Sequence, residues 1–358
     1  MAESTVDSDV RSELFGRTGS GAEVHRWTLR TPGGAVAAVL TRGATLQSWR
    51  AADGTELVVG LADVPAYEAS TAFFGATVGR VANRIAGGRF TVDGVEHHVP
   101  TGGAEHALHG GVDGFDRRVW EAERVPGETA VRFHLTSPDG DMGFPGTLSV
   151  QVTYALTDVD GGAELRLDYR ATTDAATPVA LTNHAYLNVD GVGSGSVERQ
   201  RLRIAAGRYL PVDAGLIPLG ELAPVAGTPF DFTAEREIGA HLRDADAQLL
   251  RAQGYDHCWV FDEPSPAEPV LVAELRGTSG RLLQVLTDQP AVQFYSGNFL
   301  DAATSTAQGL PVRQADALCL ETQALPDAVN QPAFGDVVLR PGQEWLSTTV
   351  MRVLGPVG

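Results

Sequence analysis

Along most of the chain, apolar and polar positions alternate with a period of two, as expected of half-buried β-strands. Glycine-containing turns separate the runs. Glu23–Arg30 and Ala35–Thr41 flank Pro32-Gly33-Gly34, while Thr45–Ala51 and Glu56–Leu61 flank Asp53-Gly54. Arg89–Val92 and Val95–Val99 flank Asp93-Gly94, two residues that tolerate the positive φ of a tight hairpin turn. Longer strands are predicted at Leu148–Leu156 and Ala163–Ala171, and a further pair at Val270–Leu275 and Arg281–Leu286. One segment departs from the alternation. Ala234–Gln253 carries Ile238, Leu242, Leu249 and Leu250 at helix-like spacing, with Gly254 as a stop.

The pattern predicts an all-β fold, a large antiparallel sandwich with at most a few short helices. At about 150 residues per domain, a 358-residue chain suggests two domains. No linker, low-complexity stretch or internal repeat divides it, however. The expectation is a flexible tail over residues 1–14 and a single domain over residues 15–358.

Charge narrows the partners. Acidic residues outnumber basic ones 45 to 27, giving a formal net charge of −18. Nucleic acids and anionic membranes require clustered cations that displace counterions, so neither is an expected partner. All 27 cations are arginine, because the chain has no lysine. Schiff-base aldolases, pyridoxal-phosphate enzymes and Walker-type nucleotide binders each need a lysine amine, and all three are excluded. The two cysteines, Cys258 and Cys319, stand outside any CxxC or zinc-ligand spacing. The polar start resembles no signal peptide, and no run of 18 apolar residues occurs. A cytoplasmic protein, monomeric or homodimeric, is expected.

Most of the nine histidines read as ordinary strand or helix residues. His97 and His98 are adjacent and point to opposite faces of one strand, which disfavours a shared metal, and no metal site is expected. Four segments gather polar groups in apolar surroundings: Gly79–Ile85; Leu108-His109-Gly110-Gly111 with Gly114-Phe115-Asp116; Leu181–Asn188; and Leu318–Gln323. Asp256 and Gln293 join them as candidates. In the fourth segment Glu321 closes an apolar strand, where burial would raise its pKa toward that of a general base. Taken singly, a strand-end carboxylate is usually solvated and an Asn-His pair usually caps a turn. As a set, the planar polar side chains suit the hydroxyls of a sugar, and no phosphate-binding loop accompanies them.

Five stretches in order carry a resemblance: Gly79–Ile85, Leu108–Gly111 with Gly114–Asp116, Thr182–Asn188, Val292–Asn298, and Leu320–Gln323 continuing through Pro326–Pro332. Together they resemble the aldose 1-epimerase, or galactose mutarotase, family from about residue 15 to the C-terminus. The resemblance implies a single β-supersandwich and cofactor-free interconversion of the α and β anomers of aldohexoses such as glucose and galactose, with a monosaccharide as partner. It also implies Glu321 as general base and His184 as general acid. Asn83, Arg84, His109, Tyr186, Asp256 and Gln293 then fall at sugar-binding positions. Leu187, Ala180 and Cys258 depart from the family pattern, and Leu187 is expected to loosen the wall behind His184. Two alternatives remain open: a hexose-phosphate epimerase on the same fold, and a non-catalytic sugar-binding or regulatory module. A glycosidase would need paired carboxylates, for which Glu321 and Asp256 are the nominees.

Overall fold

A computed structural model describes residues 9–262 and 267–355. Its largest sheet has nine antiparallel strands, in the spatial order Glu121–Arg124, Ala130–Ser137, Leu148–Val159, Gly162–Thr173, Trp345–Leu354, Leu282–Thr287, Val270–Arg276, Arg201–Ile204 and Arg236–Glu237. The longest hairpin pairs Leu148–Val159 with Gly162–Thr173 along its full length. Alternation there sends Val150, Val152, Tyr154, Leu165 and Leu167 into the core, as a one-sided sheet requires.

A five-stranded antiparallel sheet lies against this face, ordered Ala223–Pro224, Arg208–Leu210, Asp256–Val260, Ala291–Tyr295 and Cys319–Gln323. It is called the site sheet below. Trp259, Val292, Phe294 and Leu320 join the apolar cluster of the large sheet. The hydroxyls of Thr322 and Thr349 lie 2.5 Å apart and link the two sheets. A third sheet, ordered Asp9–Arg17, Glu23–Arg30, Val36–Leu40 and Thr45–Arg50, adds Leu29, Val39, Leu46 and Trp49 to the same core. The all-β sandwich expected from the alternation is the fold observed.

Most predicted hairpins are present, including Arg89–Val92 with Val95–His98 across Asp93 and Gly94, both at positive φ. Three expectations are corrected. Asp9–Leu14, placed in a tail, pair with the strand Glu23–Arg30, while residues 1–8 lie outside the described residues. Glu56–Leu61 forms no continuous strand and makes isolated bridges from Glu56 to Arg50 and from Val58 to Leu187. The long helix over Ala234–Gln253 reduces to a turn of 3₁₀ helix at Ile238–Ala240 and a short α-helix at Ala247–Ala252. Asp246 caps that helix by accepting from the backbone N–H groups of Gln248 and Leu249. The apolar spacing supports no more than this, since Leu250 is 68% exposed. No helix among the described residues is long and apolar enough to cross a membrane.

Candidate active site

Strand register builds the floor. Asp256 stands opposite Tyr295, which stands opposite Cys319; Cys258 stands opposite Gln293, which stands opposite Glu321. Because side chains alternate, these six share one face of the site sheet. The intervening residues His257, Trp259, Val292, Phe294, Leu320 and Thr322 take the other. Gln293 donates from Nε2 to Asp256 Oδ1 at 2.6 Å, which fixes the carboxylate's direction.

Two loops meet over one edge of this face. Gly110 sits at φ +90, and a Cβ there would come within 1.8 Å of the Gly79 carbonyl oxygen. Only glycine permits that approach. Asn83 and His109, both in the left-handed region, are bonded reciprocally. The His109 N–H donates to the Asn83 carbonyl at 3.0 Å, and the Asn83 N–H donates to His109 Nδ1 at 3.1 Å. The second bond makes Nδ1 an acceptor, so the neutral ring carries its proton on Nε2. Arg84 pairs with Leu108 along the backbone, and its guanidinium lies 3.9 Å from Asp256 Oδ2.

His184 arrives on a third segment held at several points. Asn183 donates from Nδ2 to the Gly75 carbonyl at 2.7 Å and to the Tyr154 hydroxyl at 3.1 Å. The His184 N–H donates to the Ala76 carbonyl, and the His184 carbonyl accepts from the Gly75 N–H, both at 2.9 Å. The imidazole thus stands on the core of the large sheet through Tyr154.

These elements enclose a cavity of about 160 Å³ lined by Asn83, Arg84, His109, His184, Tyr186, Asp256 and Glu321, with Phe73, Tyr295 and Phe299 among the aromatic walls. At its floor His184 Nε2 lies 3.7 Å from Glu321 Oε1. Glu321 is 2% exposed and its Oε2 has no partner. Burial and, secondarily, the charge of Asp256 push its pKa well above the usual carboxylate range, with Arg84 partly opposing. Burial lowers His184 to about 4, an effect its own backbone carbonyl offsets in part. His109 is held well below its ordinary value by burial, then by His184 and Arg84. His109, His184 and Glu321 offer ligand atoms within 4.8 Å of one another, a spacing that a single cation could bridge.

The structure therefore brings seven of the eight expected residues onto one wall. Gln293 is the exception, standing behind Asp256 and off the lining. Tyr186 contributes a ring face, tilted against His184 at 5.2 Å between centroids. Other residues of the same motifs turn elsewhere. Arg80 is buried on Ser137, Thr177 and the carbonyls of Pro138 and Pro145, and Asn188 donates to the carbonyls of Gly195 and Asp316. Leu187 packs in the main core, off the cavity lining, and makes backbone bridges to Val58 and Leu318. The sequence reading missed Phe73, which meets His109 edge-on at 4.6 Å, and Phe299 at the mouth, 51% exposed. It also missed Cys319, whose Sγ lies 3.5 Å from His184 Nδ1. An exposed aromatic beside polar motifs was the only signal for Phe299.

A β-sandwich whose open face holds a buried carboxylate–imidazole pair in a cavity lined by charged, amide and aromatic side chains has the means for acid–base chemistry on a small molecule. Comparison with known proteins agrees, because residues 25–352 match the aldose 1-epimerase family. Galactose mutarotase of Mus musculus is 43% identical over 346 residues, covering 95% of this chain and 97% of that protein. Aldose 1-epimerase of Escherichia coli (strain K12) is 40% identical over 328 residues, covering 90% and 93%. The crystal structure of galactose 1-epimerase from Lactobacillus acidophilus NCFM superposes with a TM-score of 0.86 at 27% identity, covering 98% and 100%. The chain belongs to the aldose 1-epimerase family.

Proposed function

We propose that this protein is a cofactor-independent isomerase that interconverts the α and β anomers of aldohexoses, with Glu321 as base and His184 as acid. The observation that carries the reading is the contact of these two groups, 3.7 Å apart at the floor of a polar cavity that fits one pyranose ring. Anomerisation removes the proton of the C1 hydroxyl while protonating the ring oxygen. The C1–O5 bond then breaks to give the aldehyde, C1–C2 rotates, and the ring recloses on the other face.

The pair is read as carrying one proton, because burial disfavours a lone charge on either group, raising the Glu321 pKa and lowering that of His184. In the sugar-free protein that proton rests on Glu321; with sugar bound it passes to Nε2, and the two opposite charges then compensate each other inside the protein. Glu321 then takes the C1 hydroxyl proton as Nε2–H passes to O5. On closure the roles reverse: Glu321 returns its proton to the carbonyl oxygen, and Nε2 accepts from the O5 hydroxyl. His109, neutral and donating through Nε2, polarises an oxygen of the bound sugar. Asn83, Arg84 and Asp256 receive the remaining hydroxyls, and Gln293 serves by holding Asp256.

No step needs a metal or nucleotide. We further read residues 9–355 as one working domain, supported by an apolar cluster that runs from Leu29 to Val353 and against which Val10 packs. Two buried, unpaired cysteines support a cytoplasmic location. Glu321→Gln tests the mechanism. Polarimetry of freshly dissolved α-galactose or α-glucose is expected to show catalysis reduced about 10²–10⁴-fold, with sugar binding by calorimetry retained. Wild-type rates in that variant would overturn the assignment. Binding without acceleration in the unaltered protein would favour a non-catalytic module.

A further inference from the structure

Cys319 has no part in the proton exchange described above, yet it is fully buried and shares a face with Glu321, two residues before it. Its surroundings are apolar, with Tyr186, Tyr295, Val312 and Ala317 in the same cluster. Its Sγ lies 3.5 Å from His184 Nδ1, on the side of the ring away from Glu321. Burial, then the charges of Glu321 and Asp256, push the thiol pKa well above its ordinary value, so the group keeps its proton. A thiol sulfur retains lone pairs and accepts a hydrogen bond weakly.

We propose that Cys319 Sγ accepts the Nδ1–H of His184 and holds the tautomer whose Nε2 lone pair faces Glu321 and the cavity. The inference rests on the acid–base reading of His184 and deepens it. Once the imidazolium has given Nε2–H to the ring oxygen, the remaining proton must stay on Nδ1. Only then can Nε2 take the proton back from the O5 hydroxyl as the ring closes. A neutral ring protonated on Nε2 would present a second donor to that hydroxyl and stall reclosure. The tautomer of a histidine is set by the bond its other nitrogen makes, and here the sulfur supplies it. Cys319 is accordingly a positioning residue.

The test is the tautomer itself, read by ¹⁵N NMR of the full-length, histidine-labelled protein, with His184 assigned by its loss in His184→Gln. The sugar-free wild type, with the shared proton on Glu321, is expected to show a protonated Nδ1 and an unprotonated Nε2. In Cys319→Ala that signature gives way to the Nε2–H form or to a mixture, and kcat falls about tenfold, the value of one hydrogen bond, with KM unchanged. Cys319→Ser, which restores an acceptor, is expected to recover both. An Nε2–H tautomer in the wild type, or an unchanged Nδ1–H tautomer in Cys319→Ala, overturns the proposal. If Cys319→Ala does not fold, the wild-type and Cys319→Ser spectra decide. Failure of the acid–base reading would appear separately, as an active Glu321→Gln.

Discussion

The two faces of the site sheet use the same three strands for opposite ends. On the core face, His257, Phe294 and Leu320 form one cross-strand row and Trp259, Val292 and Thr322 the next. Apolar side chains dominate there, and Thr322 answers its buried hydroxyl with Thr349. On the cavity face, Gln293 and Glu321 stand opposite one another, with Oε1 of Gln293 and Oε2 of Glu321 left without partners. Both faces are buried, so burial alone does not distinguish them. The difference is that the core face satisfies its polar atoms within the chain, whereas on the cavity face Glu321 Oε2, on the lining, is left open. An unpaired buried polar atom costs about 1–3 kcal/mol, and the packed core face offsets that cost.

The core side is the more sensitive of the two. Phe294→Ala is expected to remove about 3–5 kcal/mol of stability, measured by urea unfolding, while the folded fraction keeps its activity per active site. A loss below about 1 kcal/mol would mean that the core face is not the support described here. Asp256→Ala should show the converse. The folded protein is expected to persist with little change in its unfolding midpoint while KM rises about 10–100-fold, the value of a hydrogen bond to a charged group. Removal of the Asp256 charge also lets Glu321 ionise at lower pH, so the acidic limb of kcat moves downward in pH.

A further effect concerns the histidine on the core face and shows only as pH falls. Burial alone lowers His257 to about 3, against an ordinary value near 6.5. Between those values the unfolded chain binds a proton that the native state refuses. Stability from this group is therefore complete above pH 6.5 and declines as pH falls toward 3. His184, at about 4, contributes with the same sign, and the raised Glu321 with the opposite one. His257→Asn should flatten the pH dependence of the unfolding free energy between pH 4 and 6 by up to one proton, on the order of 1.4 kcal/mol per pH unit. An unchanged slope would show that His257 charges without cost.

Sequence pattern and structure agree where the constraint is local or motif-borne. Alternation located the long hairpin at 148–173 because each strand there is one-sided and carries its own signal. The polar motifs drew attention to Asn83, Arg84, His109, His184 and Glu321, with Asp256 beside them, but each alone had an ordinary structural reading, and the family resemblance supplied the roles. The rim was not legible in the same way. Phe73 and Phe299 lie on connecting segments without a period, and their role depends on contacts across more than 30 positions, such as Phe73 with His109. The helix expected at Ala234–Gln253 failed for a related reason. Few apolar positions and a mid-segment cap at Asp246 left only Ala247–Ala252 helical. Gln293 was legible as part of the site but not as a support, since that distinction depends on which side chain stands in front of it.

The hydrogen bond from the Asn83 N–H to His109 Nδ1 also sets a rule of admission for ligands. It leaves the imidazole with a single exposed polarity, and burial keeps that polarity fixed across the working range of pH. A ring oxygen, hydroxyl or carbonyl can accept there. An ammonium group, as in an amino sugar, would set donor against donor and bring a second positive charge beside Arg84. Selection against such compounds would then rest on a backbone amide that sets the His109 tautomer, and replacing His109 itself would remove the donor.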